Sequence, residues 1–143
     1  MNIAEIMTPD PEIIRPDTVL KQAAETMKKF DVGLLPICDG QRLVGMLSDR
    51  DITIRATAAG LDPAKTRADQ VMTEDVFYCF EDQEVEEAVR VMEEKQIRRL
   101  PIVNRDKKLV GVISLGDVAV RAGNPKLAGK AVEQVSKPAE PNR

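Results

Sequence analysis

Two short stretches carry the residue types best suited to chemistry. Gly45-Met46-Leu47-Ser48-Asp49-Arg50-Asp51 and Gly111-Val112-Ile113-Ser114-Leu115-Gly116-Asp117 share the pattern Gly-h-h-Ser-x-x-Asp, where h is apolar. In each, an apolar strand-like run turns into a helix at the serine. One reading is architectural: Ser48 and Ser114 as N-caps, with Asp51 and Asp117 three residues on, make an acidic form of the capping box. The other is functional. A strand end and a helix start present a hydroxyl, a carboxylate and free backbone N–H groups, which suit a ribose diol with a phosphate nearby. A carboxylate accepts hydrogen bonds from two hydroxyls at once, and apolar backbone at Met46 or Val112 can flank an adenine ring. The two readings are compatible.

Little else in the chain offers chemistry. Its 143 residues include no histidine. Ser-His and Cys-His catalysis, histidine general bases and His-containing zinc sites therefore fall away. Neither a nucleophile–base pair nor clustered metal ligands can be read, so no enzyme is expected and no cofactor is required. Cys38 and Cys79 stand in strand-like contexts and, with no signal peptide in view, are expected to be reduced thiols in a cytoplasmic protein. A net charge of -3 and 3% aromatic residues argue against a nucleic-acid surface. The longest apolar runs are too short to span a membrane.

The elements that must position these motifs come in two copies. Met7-Thr8 returns as Met72-Thr73, Asp17 as Asp82, Ala23 as Ala88, Met27 as Met92 and Leu35-Pro36-Ile37 as Leu100-Pro101-Ile102, at an offset of 65. One inserted residue makes the offset 66 for Leu43-Val44-Gly45, Ser48 and Asp51, which return as Leu109-Val110-Gly111, Ser114 and Asp117. Leu20, Ala23, Ala24 and Met27, matched by Val85, Ala88, Val89 and Met92, have the spacing of an amphipathic helix, with Asp17 and Asp82 at or near the N-caps. A hairpin follows in each copy, over 35–47 and 100–113, the first turning at Asp39-Gly40. Helices over about 49–59 and 115–122 then end at Gly60 and Gly123. Thr66 with Asp69 suggests a capped helical start in the connector.

The fold class is thus α/β (α+β), each copy a small sheet with helices on one face. The open sheet faces predict that the copies pack together with approximate two-fold symmetry, creating two related clefts. Expected divisions are 1–60, 61–124 with the connector, and a C-terminal helix and tail over 125–143, disordered from Lys137 on.

Taken together, Ile6-Met7-Thr8, the Leu-Pro-Ile strands, Leu-Val-Gly and the two Ser-x-x-Asp ends resemble the paired cystathionine-β-synthase (CBS) domains, or Bateman module. The likeness extends to the stand-alone bacterial pairs that include the hypoxic response proteins. It implies a regulatory, non-enzymatic module whose clefts bind adenosyl ligands such as AMP, ADP, ATP, NAD or S-adenosylmethionine. It places Ser48 with Asp51, and Ser114 with Asp117, on the ribose of one cleft each. Arg98 and Arg99 occupy positions where relatives often hold phosphates, a task that suits guanidinium forks. As plain residues they are also a basic pair at a helix C-terminus, favourable to its dipole. The matching Gly33 and Leu34 carry no charge, so the two clefts are expected to differ. The same fold also serves as a ligand-free dimerisation or interaction module, which is the alternative. The resemblance further implies a homodimer through helical faces and a regulated protein partner. The more basic first helix and the acidic second one lean it toward a head-to-tail arrangement.

Overall fold

The computed structural model describes residues 1–137. Apart from Lys137, the tail expected to be disordered lies outside the described residues. The chain divides into two compact units, a central one over Pro11–Val76 and a split one made of Met1–Asp10 with the chain from Phe77 onward. These units are not the contiguous stretches expected from the repeat. The first ten residues join the later copy, and 61–76 remain with the earlier one. The cause is strand pairing: β1 (Thr8–Pro9) pairs antiparallel with β6 (Leu109–Ser114), Thr8 opposite Val112. Thr73, the repeat counterpart of Thr8, likewise bridges Met46. Each Met-Thr segment therefore serves the hairpin of the other sequence copy.

In the central unit, α1 (Leu20–Phe30) leads to the hairpin β2 (Leu34–Asp39) and β3 (Arg42–Ser48). In the split unit, β4 (Cys79–Phe80), α3 (Val85–Lys95), β5 (Arg99–Val103) and β6 build a sheet ordered β1-β6-β5-β4. The central unit follows the same plan with its edges reduced to single bridges, Ile14 beside Ile37 and Met46 beside Thr73. Both hairpins slip register at the same step, between Ile37 and Cys38 and between Ile102 and Val103.

Asp17 and Asp82 stand near the helix starts, two residues ahead of the caps themselves. Val19 and Glu84, not Asp17 and Asp82, are the N-cap residues, and neither makes a side-chain cap bond. Asp82 is instead gripped by Arg105 through both oxygens, at 2.7 and 2.9 Å, while Asp17 faces Arg15 at 3.7 Å. Both helices end on a non-glycine residue in the left-handed region, Asp31 at φ 52° and Gln96 at φ 53°. That turn aims the chain into the hairpin. In the connector, Thr66 is buried and its hydroxyl donates to the Asp62 carbonyl at 2.8 Å. The helical start there is a 3-10 turn, Ala68–Gln70, whose preceding Arg67 N–H is received by the Gln70 side chain at 2.8 Å. It is not the Thr66–Asp69 pair that caps it.

After the hairpins, α2 (Asp49–Asp51) runs directly into a π-helical stretch, Ile52–Thr57, where a single regular helix was expected. Its counterpart α4 (Leu115–Arg121) is regular. Helix α5 (Pro125–Val135) starts with proline at the position that needs no N–H donor, and Asn124 caps it by accepting from the Leu127 N–H at 3.1 Å. α5 packs on α3 and α4, burying Ala128, Ala131 and Val135 beside Val89. The central unit has no matching helix, so Ala24, the counterpart of Val89, is exposed rather than on the buried stripe.

Candidate functional site

At each Ser-x-x-Asp end the backbone enters the helix from an extended serine, Ser48 at ψ 161° and Ser114 at ψ 163°. The Ser48 N–H donates to Asp51 Oδ2 at 2.9 Å, and the Asp51 N–H donates to Ser48 Oγ at 3.0 Å. The split unit repeats this reciprocal pair between Ser114 and Asp117, at 2.9 and 3.1 Å. The architectural reading of the motif is therefore realised twice. It does not exhaust the carboxylates, because an ionised carboxylate offers about four lone-pair sites and the serine N–H takes one. Both aspartate side chains are 14% exposed.

The hairpin register decides what stands beside each motif. Arg99 is directly opposite Ser114, and the Arg98 carbonyl accepts from the Leu115 N–H at 3.0 Å. Both arginines are exposed, and Arg98 Nη2 donates to the Ser136 hydroxyl at 3.2 Å. Arg98, Arg99, Ser114 and Asp117 are thus gathered at one strand end. In the central unit Leu34 is opposite Ser48, and the Gly33 carbonyl accepts from the Asp49 N–H at 2.9 Å. A side chain on Gly33 would place its Cβ 2.9 Å from Asp49 Oδ2, so the glycine makes room for that carboxylate. Met46 is buried and Val112 half-buried, and their backbones pair with Thr73 and Thr8. An open depression of about 330 Å³ lies over Asp49, Arg50, Thr53 and Ile54, beside the central motif.

Two functional-looking residues escaped the sequence reading. Arg55 Nη1 donates to the carbonyls of Val71 and Met72, at 3.2 and 3.1 Å, while its Nε lies 3.6 Å from Asp51 Oδ1. Arg121 repeats the arrangement with Ile6 and Met7, at 3.3 and 3.1 Å, and with Asp117 at 3.7 Å. The signal was present, since Arg55 and Arg121 are related by the same offset of 66 as the aspartates.

The thiols offer no second chemistry. Cys38 and Cys79 are buried and free. Burial pushes both up to about 11, helped at Cys79 by the charge of Glu87, so neither is a thiolate at neutral pH. No group of three or more His, Cys, Asp or Glu residues placed to hold a metal occurs among the described residues. No helix among them is long and apolar enough to cross a membrane.

A hairpin flanked by helices, built twice, with a capped Ser-x-x-Asp end on each copy, defines a tandem α/β repeat whose strand ends carry its polar groups. The CBS domain family model matches residues 3–56 and 68–122, and the chain belongs to that family. It is 36% identical over 135 residues to the CBS domain-containing protein YhcV of Bacillus subtilis, covering 94% of this chain and 95% of the relative. It is 43% identical over 101 residues to hypoxic response protein 1 of Mycobacterium tuberculosis, 70% of each chain.

Among solved structures, Hypoxic Response Protein I with two coordinated zinc ions superposes with a TM-score of 0.77 at 38% identity, covering 83% of this chain and 97% of that one. CBSX2 in complex with AMP gives 0.73 at 27% identity, covering 87% and 98%. The CBS domain pair of protein MJ0100 with 5-methylthioadenosine and S-adenosyl-L-methionine gives 0.76 at 25% identity, covering 88% and 98%. Zinc does not fit the donor set here, which lacks histidine and, among the described residues, any cluster of candidate ligands.

Proposed function

We propose that this chain is a regulatory module that binds an adenosyl ligand, with Asp51 and Asp117 receiving ribose hydroxyls. The observation that carries the reading is the duplicated carboxylate, held by its serine N–H yet retaining acceptor capacity. The complexes of CBSX2 with AMP and of MJ0100 with S-adenosyl-L-methionine support the ligand class. Ser48 and Ser114 hold the carboxylates, Met46 and Val112 flank the base, and Arg98 and Arg99 meet a phosphate in one site. Gly33 and Leu34 leave the other site without that charge. Each Ser-x-x-Asp end would hold its own ligand, and the signal would pass to a protein partner or to the module's own assembly. No catalytic group is assigned, because the motif holds a ligand without a nucleophile or base to transform it. A homodimer through helical faces belongs to the same reading.

Calorimetric titration of protein stripped of bound nucleotide, with AMP, ATP, NAD and S-adenosylmethionine, tests the reading. Binding by at least one is expected, with one class of site lost in Asp51→Ala and the other in Asp117→Ala. Each change also removes part of a helix cap, costing on the order of 1 kcal/mol. Silence with all four compounds selects the ligand-free interaction module instead.

A further inference from the structure

Arg55 and Arg121 have the same surroundings in the two units. Each follows its aspartate by four residues on the helix, directs Nε at that aspartate's Oδ1, and donates Nη1 to two successive carbonyls of the Met-Thr segment. The distances matter. At 3.6 and 3.7 Å the guanidinium brings its charge to the carboxylate without forming a hydrogen bond to it. Oδ2 takes the serine N–H, and Oδ1 is compensated in charge but keeps its lone pairs. That is the condition a carboxylate needs to receive two hydroxyl donors.

The other end of the guanidinium is fixed more firmly. The carbonyls of Ile6 and Met7, or of Val71 and Met72, hold Nη1 at hydrogen-bond distance, and these residues lead into the segments that pair with β6 and β3. A planar fork reaches a carboxylate and two carbonyls at once; the point charge of a lysine ammonium cannot span them in the same way.

We infer that Arg55 and Arg121 are positioning residues that orient Asp51 and Asp117 toward the ligand and tie each carboxylate to the Met-Thr segment of its unit. This rests on the adenosyl-ligand reading above. A ribose arriving at Oδ1 would change the carboxylate's pull on the guanidinium, and the guanidinium would pass that change to the segment's carbonyls. The chain leaves the split unit just after this segment, at Asp10, and leaves the central unit just after its counterpart, at Val76. The clamp therefore lies where occupancy can be communicated along the backbone.

The test uses the full chain with AMP and adenosine as probes, in the wild type and in the variants Arg55→Gln, Arg121→Gln, Arg55→Lys and Arg121→Lys. Calorimetry gives affinities, hydrogen exchange gives amide protection near residues 6–8 and 71–73, and thermal melting confirms folding. In the wild type, ligand should raise protection in these segments. The glutamine variants should bind both probes on the order of tenfold more weakly, the scale of one interaction with a charged group. They should also lose the ligand-induced protection. The lysine variants keep the charge without the fork, so they should recover affinity but not protection, an outcome that a merely structural arginine would not produce. They also supply the test if a glutamine variant does not fold. If the wild type binds neither these probes nor the other adenosyl compounds, the reading of the site fails. If the wild type binds while folded variants bind equally well and gain the same protection, that reading stands and the inference is overturned.

Discussion

In the central unit a glycine, Gly33, faces the carboxylate of Asp49; in the split unit the same two places hold Arg98 and Leu115. Around the central motif Asp49 and Asp51 are balanced by Arg50 and Arg55. Around the other, Asp117 stands alone against Arg98, Arg99 and Arg121. Everything the backbone needs is common to both: the register of the hairpin, the Ser/Asp exchange of hydrogen bonds, the arginine one turn later. What differs is the charge carried by the residues around each carboxylate. The two copies thus share the means of holding a carboxylate and differ in the residues that flank it.

The sharpest way to test the equivalence of the two backbones is at the glycines of the second hairpin strands. A Cβ on Gly111 would sit 2.9 Å from the Thr8 carbonyl oxygen, and one on Gly45 would sit 3.2 Å from that of Thr73. In both places a methionine sulfur, from Met7 or Met72, also occupies the space, but a thioether can swing aside and a paired backbone cannot. Gly111→Ala and Gly45→Ala should each destabilise by about 1–3 kcal/mol through overpacking. Denaturant unfolding should rank Gly111→Ala as the worse, and the reverse order would break the packing comparison.

A smaller effect should sharpen the difference in charge. With Asp51→Ala leaving only the split unit's site, adding Arg98→Ala and Arg99→Ala should cut the preference for AMP over adenosine on the order of tenfold, the worth of a charge-assisted contact. With Asp117→Ala leaving only the central site, the preference should be weak from the start. Equal preferences in the two single-site proteins would remove the distinction.

The smallest effect concerns Asp82, whose carboxyl the Arg105 hydrogen bonds hold below its ordinary range. A depressed carboxyl stabilises the fold above its unfolded pKa, and that contribution is lost as pH falls through the folded value. Acid titration of Asp82→Asn should therefore show a slightly flatter loss of stability below the ordinary carboxylate range than the wild type. Because both side chains of the pair are exposed to solvent, an effect large enough to dominate acid unfolding would contradict this account.

Much of this architecture could be read from residue spacing, and the exceptions have a common cause. Helices α1 and α3 and both hairpins follow from local periodicity and turn chemistry, as does the Ser/Asp box. The partner of Thr8 could not be read, because a two-residue strand has no periodicity and its mate lies about a hundred residues away. Asp17 and Asp82 look like caps in a linear reading, but Asp82 is drawn off by Arg105, 23 residues on. Ala24 belongs to the stripe by spacing and is exposed for want of a helix like α5. At the site, the serines and aspartates were legible, being local to one turn; the arginine clamp was not, since its meaning depends on carbonyls as much as 115 residues distant.

The exchange of the Met-Thr segments means that the repeat visible in the chain and the piece that folds are out of phase by about ten residues. A cut after Gly60, at the natural seam between copies, would yield two fragments that each lack an edge. The earlier one would lack the Thr73 segment that pairs with β3, and the later one the β1 that pairs with β6. Bare strand edges invite association. Such fragments should be poor folders separately and should restore one another when mixed. Half-genes encoding them would behave as a complementing pair, and a circular permutation opening the chain at Asp10 would tidy the split unit into one continuous stretch.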